Sequence, residues 1–149
     1  MCPMSRPARA TAPRILVADD HADTREMYAL YLRMCGYDIE LAADGREAIR
    51  KARRKRRPDV VVMDLQMPTL DGWAAIQRLH ADPAMADILI IALTGHDLRD
   101  YLKPAALAAG ACTFLMKPVT PEALAREIHR CLAARPDAHA AAARRAREG

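Results

Sequence analysis

Four of the short apolar runs in the sequence end in residues whose side chains can do chemistry. The carboxylates Asp19 and Asp20 close one run, Asp64 closes another, and Thr94 and Lys117 close the last two. Burying a lone carboxylate costs free energy, so an aspartate at the end of an apolar strand needs a reason. For Asp64 taken alone, the simpler alternative is a turn residue that faces water.

The residue types suggest phosphoryl chemistry. Three carboxylates held close together repel each other and need a counter-charge, which a hard divalent cation such as Mg²⁺ supplies. With Lys117 adding positive charge, the site would favour phosphate, and Asp64 could act as a nucleophile that forms an acyl phosphate. The metal and Lys117 would stabilise the transferred group, and Thr94 could donate a hydrogen bond to it.

The elements that position these side chains follow from the pattern of the whole chain. Five strand-like runs alternate with helix-like stretches, and the runs lie near residues 15–18, 37–41, 60–64, 88–93 and 113–116. This alternation predicts an α/β fold in which helices cover both faces of a parallel sheet. Ligands of such sheets bind beyond the carboxyl ends of the strands, so the polar residues are expected to lie together.

Two helices have features of their own. A helix over about 98–109 contains Pro104, which is expected to kink it or to mark its start. The first helix has apolar residues at the spacing of a buried stripe. These residues are Met27, Leu30, Tyr31 and Met34.

Length and composition bound the remaining possibilities. The 149 residues suffice for one domain, and we expect a disordered lead at 1–13, the domain at 14–134 and an Ala/Arg-rich tail at 135–149. No apolar run approaches the roughly 20 residues of a membrane span, and the start of the chain lacks the apolar segment of a signal peptide. A cytoplasmic protein with no membrane partner is therefore expected.

One stretch is strongly basic. Residues 46–57 contain eight Arg or Lys against one Glu, a net charge of +7 in a chain of net charge +4. The stretch could be a solvated helix face whose basic end suits the helix dipole, or a docking patch for an acidic partner. No aromatic residues are interleaved with the charges, so nucleic acid is not the expected partner.

These residues, with their neighbours, resemble a response-regulator receiver domain of two-component signalling, and in particular the single-domain, chemotaxis-regulator-like members. The resemblance covers about residues 14–134 and implies a flavodoxin-like, doubly wound (βα)5 fold with strand order 2-1-3-4-5. The matching segments are 16–20, 60–64, Met67-Pro68, Asp71-Gly72, 93–95, Gly110-Ala111 and 114–118.

The resemblance also implies the role of each site residue. Asp64 is the phosphoacceptor. Mg²⁺ is bound by Asp20, Asp64 and the backbone carbonyl of Gln66, while Asp19 acts mainly through metal-bound water. Lys117 pairs with the phosphoryl group.

Further roles implied by the resemblance concern the switch. Thr94 and Phe114 are the switch couple, and the peptide bond before Pro118 is expected to be cis. From their positions near the acceptor and Thr94, we expect Gln66 and His96 to set the lifetime of the phosphoryl group, although His96 could be a plain loop residue. His21, beside the acidic pair, is expected to face solvent.

The function that follows is a stand-alone receiver that is phosphorylated on Asp64 by a sensor histidine kinase or a histidine phosphotransfer protein, and that switches the binding of an unidentified protein target. It is not an enzyme beyond its own phosphorylation and autodephosphorylation, and it is a monomer or a phosphorylation-dependent dimer. One alternative is a degenerate receiver that serves as an unphosphorylated scaffold. Another is a phosphatase with an aspartyl nucleophile, which the amide at Gln66 disfavours because it cannot act as the acid or base.

Overall fold

The structure is a computed structural model that describes residues 12–54, 56–67, 72–95 and 110–135. Its strands are β1 Arg14–Ala18, β2 Asp38–Ala42, β3 Val60–Asp64, β4 Leu89–Thr94 and β5 Thr113–Met116. Its α-helices are α1 Ala22–Met34, α2 Gly45–Ala52, α3 Gly72–Ala81 and α4 Pro121–Ala133, with a short 3-10 helix at Pro83–Met85.

The five strands form one parallel sheet in the order β2-β1-β3-β4-β5. The α/β fold and the strand order expected from the sequence are therefore confirmed. All five residues of β3 are buried, because the strand lies at the centre of the sheet with helices over both faces. Its run of β-branched residues suits a pleated surface that is packed on both sides.

Each face of the sheet has its own apolar core. On one face, alternate residues of β1 and β3 pack with α1 and α4, where Tyr28, Leu32 and Ile128 are buried. On the other face, the intervening strand residues pack with α2 and α3, where Ile49, Ile76 and Leu79 are buried. This division between two faces follows from the two-residue period of a strand.

The stripe predicted for α1 is wrong at three of its four positions; the fourth, Tyr31, is partly buried and packs against the core. Tyr28, Ala29 and Leu32 are the buried residues of this helix. The exposed fractions of three residues predicted to be buried are 45% for Met27, 66% for Leu30 and 54% for Met34. Apolar side chains occupy both sides of α1, so spacing alone could not identify the side that faces the sheet.

The basic stretch begins on α2 and continues beyond its end at Ala52. Several of its members pair with nearby acids: Arg54 with Glu40 at 2.9 Å, and Arg53 with Asp82 at 3.4 Å. These contacts favour a solvated surface with local partners over a patch whose charge is wholly unbalanced.

Some expectations concern residues outside the described ranges. These include the lead before residue 12, Pro68, Asp71, His96, the helix over 98–109 with Pro104, and the tail after residue 135. The predicted domain boundaries therefore stay a prediction. Within the described part of the chain, no helix is both long and apolar enough to span a membrane.

Candidate functional site

The sheet brings its polar residues together at the carboxyl edge. Asp64 is the last residue of β3 and pairs in register with Leu93, which precedes Thr94 on β4. Thr94 is in register with Met116 on β5, so Lys117 follows at the same edge, and its backbone N–H donates to the Thr94 carbonyl at 2.7 Å. Because β3, β4 and β5 are neighbours in the sheet, residues from three separate segments of the chain lie beside one another.

Asp64 is fully buried, so the alternative of a turn residue facing water is excluded. Its Oδ2 accepts a hydrogen bond from Lys117 Nζ at 2.9 Å, and its Oδ1 accepts one from the backbone N–H of Gln66 at 2.9 Å. Lys117 therefore provides the charge that partly compensates a buried carboxylate, and the turn after β3 orients it.

Burial nevertheless raises the pKa of Asp64 above 3.8. The hydrogen bonds from Gln66 and Lys117 oppose this pKa shift, and the negative charge of Asp19 adds to it. The ionised carboxylate of Asp64 is therefore held at a cost in free energy, which additional positive charge at the site would reduce.

Asp19 and Asp20 face the same space from the end of β1. Asp19 is buried, and its Oδ1 accepts a hydrogen bond from the backbone N–H of His21 at 2.9 Å. Asp19 Oδ2 lies 3.8 Å from Lys117 Nζ and has no hydrogen-bond partner among the described residues; Asp20 Oδ1 is likewise without one. Buried oxygens without such partners are costly, and a bound cation would compensate them.

The donor set fits a hard divalent cation. Asp19, Asp20, His21 and Asp64 each offer one ligand atom, and these atoms lie within 4.8 Å of one another. Three carboxylates suit Mg²⁺, which takes oxygen ligands and keeps part of its water shell. The residues present can therefore hold the ion that the sequence led us to expect.

The proposed switch residues lie on neighbouring strands. Thr94 is buried, and its Oγ1 has no hydrogen-bond partner within the described ranges. Phe114 on β5 is half-buried and packs against the core that contains α2 and α3. A buried hydroxyl that lacks a partner can donate to a group placed at the carboxyl edge of the sheet.

Two glycines allow the backbone around Asp64 to pack closely. A Cβ on Gly72 would lie 1.9 Å from the backbone oxygen of Asp64, which no side chain can tolerate. A Cβ on Gly95 would lie 2.8 Å from Gln66 Oε1. The Gly72 contact could not be read from spacing, because it depends on how α3 approaches the end of β3.

Tyr28 is a contributor that sequence reasoning missed. Its hydroxyl donates to the backbone oxygen of Val119 at 2.8 Å, directly after the cis peptide bond between Lys117 and Pro118. Burial, together with the charges of Asp19 and Asp64, raises the pKa of Tyr28 to about 12. The neutral phenol therefore anchors the loop that presents Lys117.

The remaining predicted residues lie at the rim of the site. Gln66 is exposed, with its amide oxygen beside Gly95. The His21 side chain is 70% exposed, although its Nδ1 lies 3.1 Å from Asp20 Oδ1. The position of His96 lies outside the described residues.

Comparisons with known proteins agree with this geometry. Residues 15–129 match the response regulator receiver domain family. The chain is similar to the chemotaxis response regulator CheY4 of Vibrio cholerae, with a TM-score of 0.74 and 32% identity, covering 80% of this chain and 98% of that one. A Francisella response regulator receiver domain gives a TM-score of 0.73 and 28% identity, covering 79% of this chain and 94% of that one.

Curated relatives are longer. The transcriptional regulatory protein PrrA of Mycobacterium bovis is 38% identical over 117 residues, which are 78% of this chain and 48% of that protein. The DNA-binding response regulator MtrA of Mycolicibacterium paratuberculosis is 36% identical over 115 residues, 77% of this chain and 49% of that protein. The chain thus spans about half the length of these relatives, and its matched region belongs to the response regulator receiver domain family of two-component signalling.

Proposed function

We propose that the chain accepts a phosphoryl group on Asp64 in a Mg²⁺-dependent reaction and that phosphorylation switches its binding to a protein partner. The observation that carries the proposal is the environment of Asp64. This buried carboxylate contacts one ammonium group and shares its site with two further carboxylates and a buried hydroxyl that has no hydrogen-bond partner among the described residues.

The site residues have different roles in this reaction. Asp20, Asp64 and the Gln66 backbone carbonyl would hold Mg²⁺, and Asp19 would act through a water molecule. When bound, the ion neutralises charge on the phosphoryl oxygens. Lys117 supplies the second positive charge, and its hydrogen bond to Asp64 Oδ2 transfers to the phosphoryl group as the carboxylate is phosphorylated.

The donor is a phosphohistidine on a sensor histidine kinase or a histidine phosphotransfer protein, the partners of receiver domains. An oxygen of Asp64 forms a bond to phosphorus while the bond from phosphorus to the imidazole nitrogen breaks. The electron pair leaves with the imidazole nitrogen, which then takes a proton. Water later attacks the acyl phosphate and releases inorganic phosphate, so the chain catalyses only its own phosphorylation and dephosphorylation.

The response to phosphorylation begins at Thr94. Its buried Oγ1 donates to a phosphoryl oxygen, and the ring of Phe114, half-buried on the neighbouring strand, moves inward into the space that the threonine leaves. Gln66, at the rim of the site, and His96 are expected to set the lifetime of the acyl phosphate.

The output is the binding of another protein in the cytoplasm, by a monomer or by a dimer that forms on phosphorylation. The names of two relatives describe transcriptional regulation and DNA binding, and this chain matches about half of their length. The stand-alone arrangement expected from the sequence therefore stays a prediction, and partner binding is the output we propose for the domain itself.

The test is phosphorylation by a small donor. The protein is incubated with Mg²⁺ and acetyl phosphate and then weighed by intact-mass spectrometry. We expect an acid-labile mass increase of one phosphoryl group in the wild type and none in Asp64→Asn. If neither protein gains mass, the chain is an unphosphorylated scaffold; if both gain it, the acceptor is not Asp64.

A further inference from the structure

His21 makes a contact that a hydrogen bond does not explain. Its Nδ1 lies 3.1 Å from Asp20 Oδ1 and 3.5 Å from Asp19 Oδ1. Asp20 Oδ1 nevertheless has no hydrogen-bond partner among the residues described. The imidazole and the Asp20 carboxylate thus approach one another without a hydrogen bond between them.

A second observation concerns Asp19, whose side chain is 1% exposed. Its Oδ2 also lacks a hydrogen-bond partner within the described ranges, although it lies in the same cluster. Two buried carboxylate oxygens are thus uncompensated by hydrogen bonds beside an imidazole nitrogen. A cation that is held directly by Asp20 and, through a water molecule, by Asp19 would satisfy both oxygens.

The spacing of the donor atoms agrees with a shared ion. Two ligands about 2.1 Å from a metal are about 3.0 Å apart at right angles and about 3.4 Å apart in a tetrahedral arrangement. The distance from His21 Nδ1 to Asp20 Oδ1 is 3.1 Å, which lies in this range, and Asp19 and Asp64 each offer a further ligand atom within 4.8 Å.

We propose that His21 is a metal ligand and that its imidazole makes this site favour divalent transition ions such as Zn²⁺ over Mg²⁺. The proposal rests on the metal site of the proposed function. Mg²⁺ takes oxygen ligands almost exclusively, whereas imidazole nitrogen binds first-row transition ions well. His21 therefore adds affinity for the transition ion and almost none for Mg²⁺.

The position of His21 allows it to be substituted with little effect on the rest of the structure. It precedes α1 as the N-cap residue, but its side chain makes no capping hydrogen bond. Its side chain is also 70% exposed, so its removal leaves no cavity. His129, an exposed residue on α4, is the matched control for the loss of a surface imidazole.

Isothermal titration calorimetry on the metal-free full chain tests the proposal, with MgCl₂ and ZnCl₂ as separate titrants. We expect His21→Ala to lower the ratio of Zn²⁺ affinity to Mg²⁺ affinity at least about tenfold, as is typical when a metal site loses a supporting residue. Mg²⁺ affinity itself stays within about twofold of the wild type. His129→Ala leaves the ratio unchanged.

Long-range ¹H–¹⁵N NMR gives a second measurement. The ring nitrogen signals of His21 are expected to shift with Zn²⁺ and to stay in place with Mg²⁺. An unchanged ratio in His21→Ala, or no shift of the His21 signals, overturns the proposal.

The Asp20→Asn variant distinguishes a failure of the proposed Mg²⁺ site from a failure of the role proposed for His21. If it abolishes Mg²⁺ binding while the ratio is insensitive to His21, the metal site stands and the role of His21 fails. If the wild type binds neither ion at this cluster, the proposed Mg²⁺ site fails, and the role of His21 with it.

Discussion

The two ends of β3 carry two buried aspartates with very different surroundings. Asp59 precedes the strand and Asp64 ends it. Asp59 is 4% exposed, its Oδ2 accepts a hydrogen bond from the backbone N–H of Arg14 at 2.8 Å, and its Oδ1 pairs with Arg135 at 3.5 Å. Both oxygens of Asp59 are therefore compensated by groups of the protein itself.

Asp64, in contrast, lies close to two other acidic side chains. Lys117 contacts it, but Asp19 and Asp20 lie close by with oxygens that have no hydrogen-bond partner among the described residues. The comparison teaches that burial alone does not mark a functional carboxylate. Asp59 is held by its partners and stabilises the fold, whereas the cluster around Asp64 retains negative charge that a ligand can neutralise.

The largest expected difference between the two ends is in stability. Asp59→Asn should lower the free energy of unfolding by about 3 kcal/mol, because it leaves the guanidinium of Arg135 without its carboxylate at a site where the pair is buried. Asp64→Asn in metal-free protein should change it by less than about 1 kcal/mol, because the loss of the Lys117 pair is offset by relief of burial and repulsion. Urea denaturation measures both. Equal losses would contradict the distinction.

Metal binding should also distinguish the two ends of β3 when unfolding is followed by urea denaturation. Mg²⁺ at 100 times its dissociation constant should raise the free energy of unfolding by about 2.7 kcal/mol, because it binds only the folded state. Asp59→Asn should retain this increase and Asp20→Asn should lose it. The account would be wrong if Mg²⁺ stabilised Asp20→Asn as much as the wild type.

A smaller effect is expected at the glycine that packs against Asp64. Gly72→Ala should cost about 2 kcal/mol, because its Cβ would collide with the backbone oxygen of Asp64 and force a shift. Gly36→Ala is the control: its φ of +94° imposes strain of about 1 kcal/mol, but no atom lies within 4 Å of the new Cβ. The melting temperature and the rate of phosphorylation should both fall further in Gly72→Ala than in Gly36→Ala.

The smallest effect is a dependence of stability on pH. The folded pKa of Asp64 is raised above 3.8, so the folded state binds its proton more tightly than the unfolded state does. The resulting stabilisation is fully present below pH 3.8 and is lost as pH rises through the folded pKa. Metal-free Asp64→Asn should lack this loss of stability. If the free energy of unfolding of the wild type and of Asp64→Asn changed in parallel with pH, the expectation would be refuted.

The sequence predicted the parts of the molecule that depend on local pattern. The residues at the ends of β1, β3, β4 and β5 could be identified because each apolar run stops at a polar side chain, and parallel strands end at one edge. The resemblance then supplied the strand order, which no local pattern contains.

Contacts between distant segments could not be predicted in this way. Tyr28 and Val119 are 91 residues apart in sequence, and Asp59 and Arg135 are 76 apart. The orientation of α1 was missed for a related reason: Leu30 and Leu32 are equally apolar, and only packing against the sheet decides which one is buried.

The most direct test of the central claim uses the two ends of β3 together. Wild type, Asp59→Asn and Asp64→Asn are incubated with Mg²⁺ and acetyl phosphate at a temperature at which all three are folded. Intact-mass spectrometry then measures the fraction of each protein that carries a phosphoryl group. The account predicts modification of the wild type and of Asp59→Asn, and none of Asp64→Asn. Modification of Asp64→Asn to the level of the wild type would contradict it.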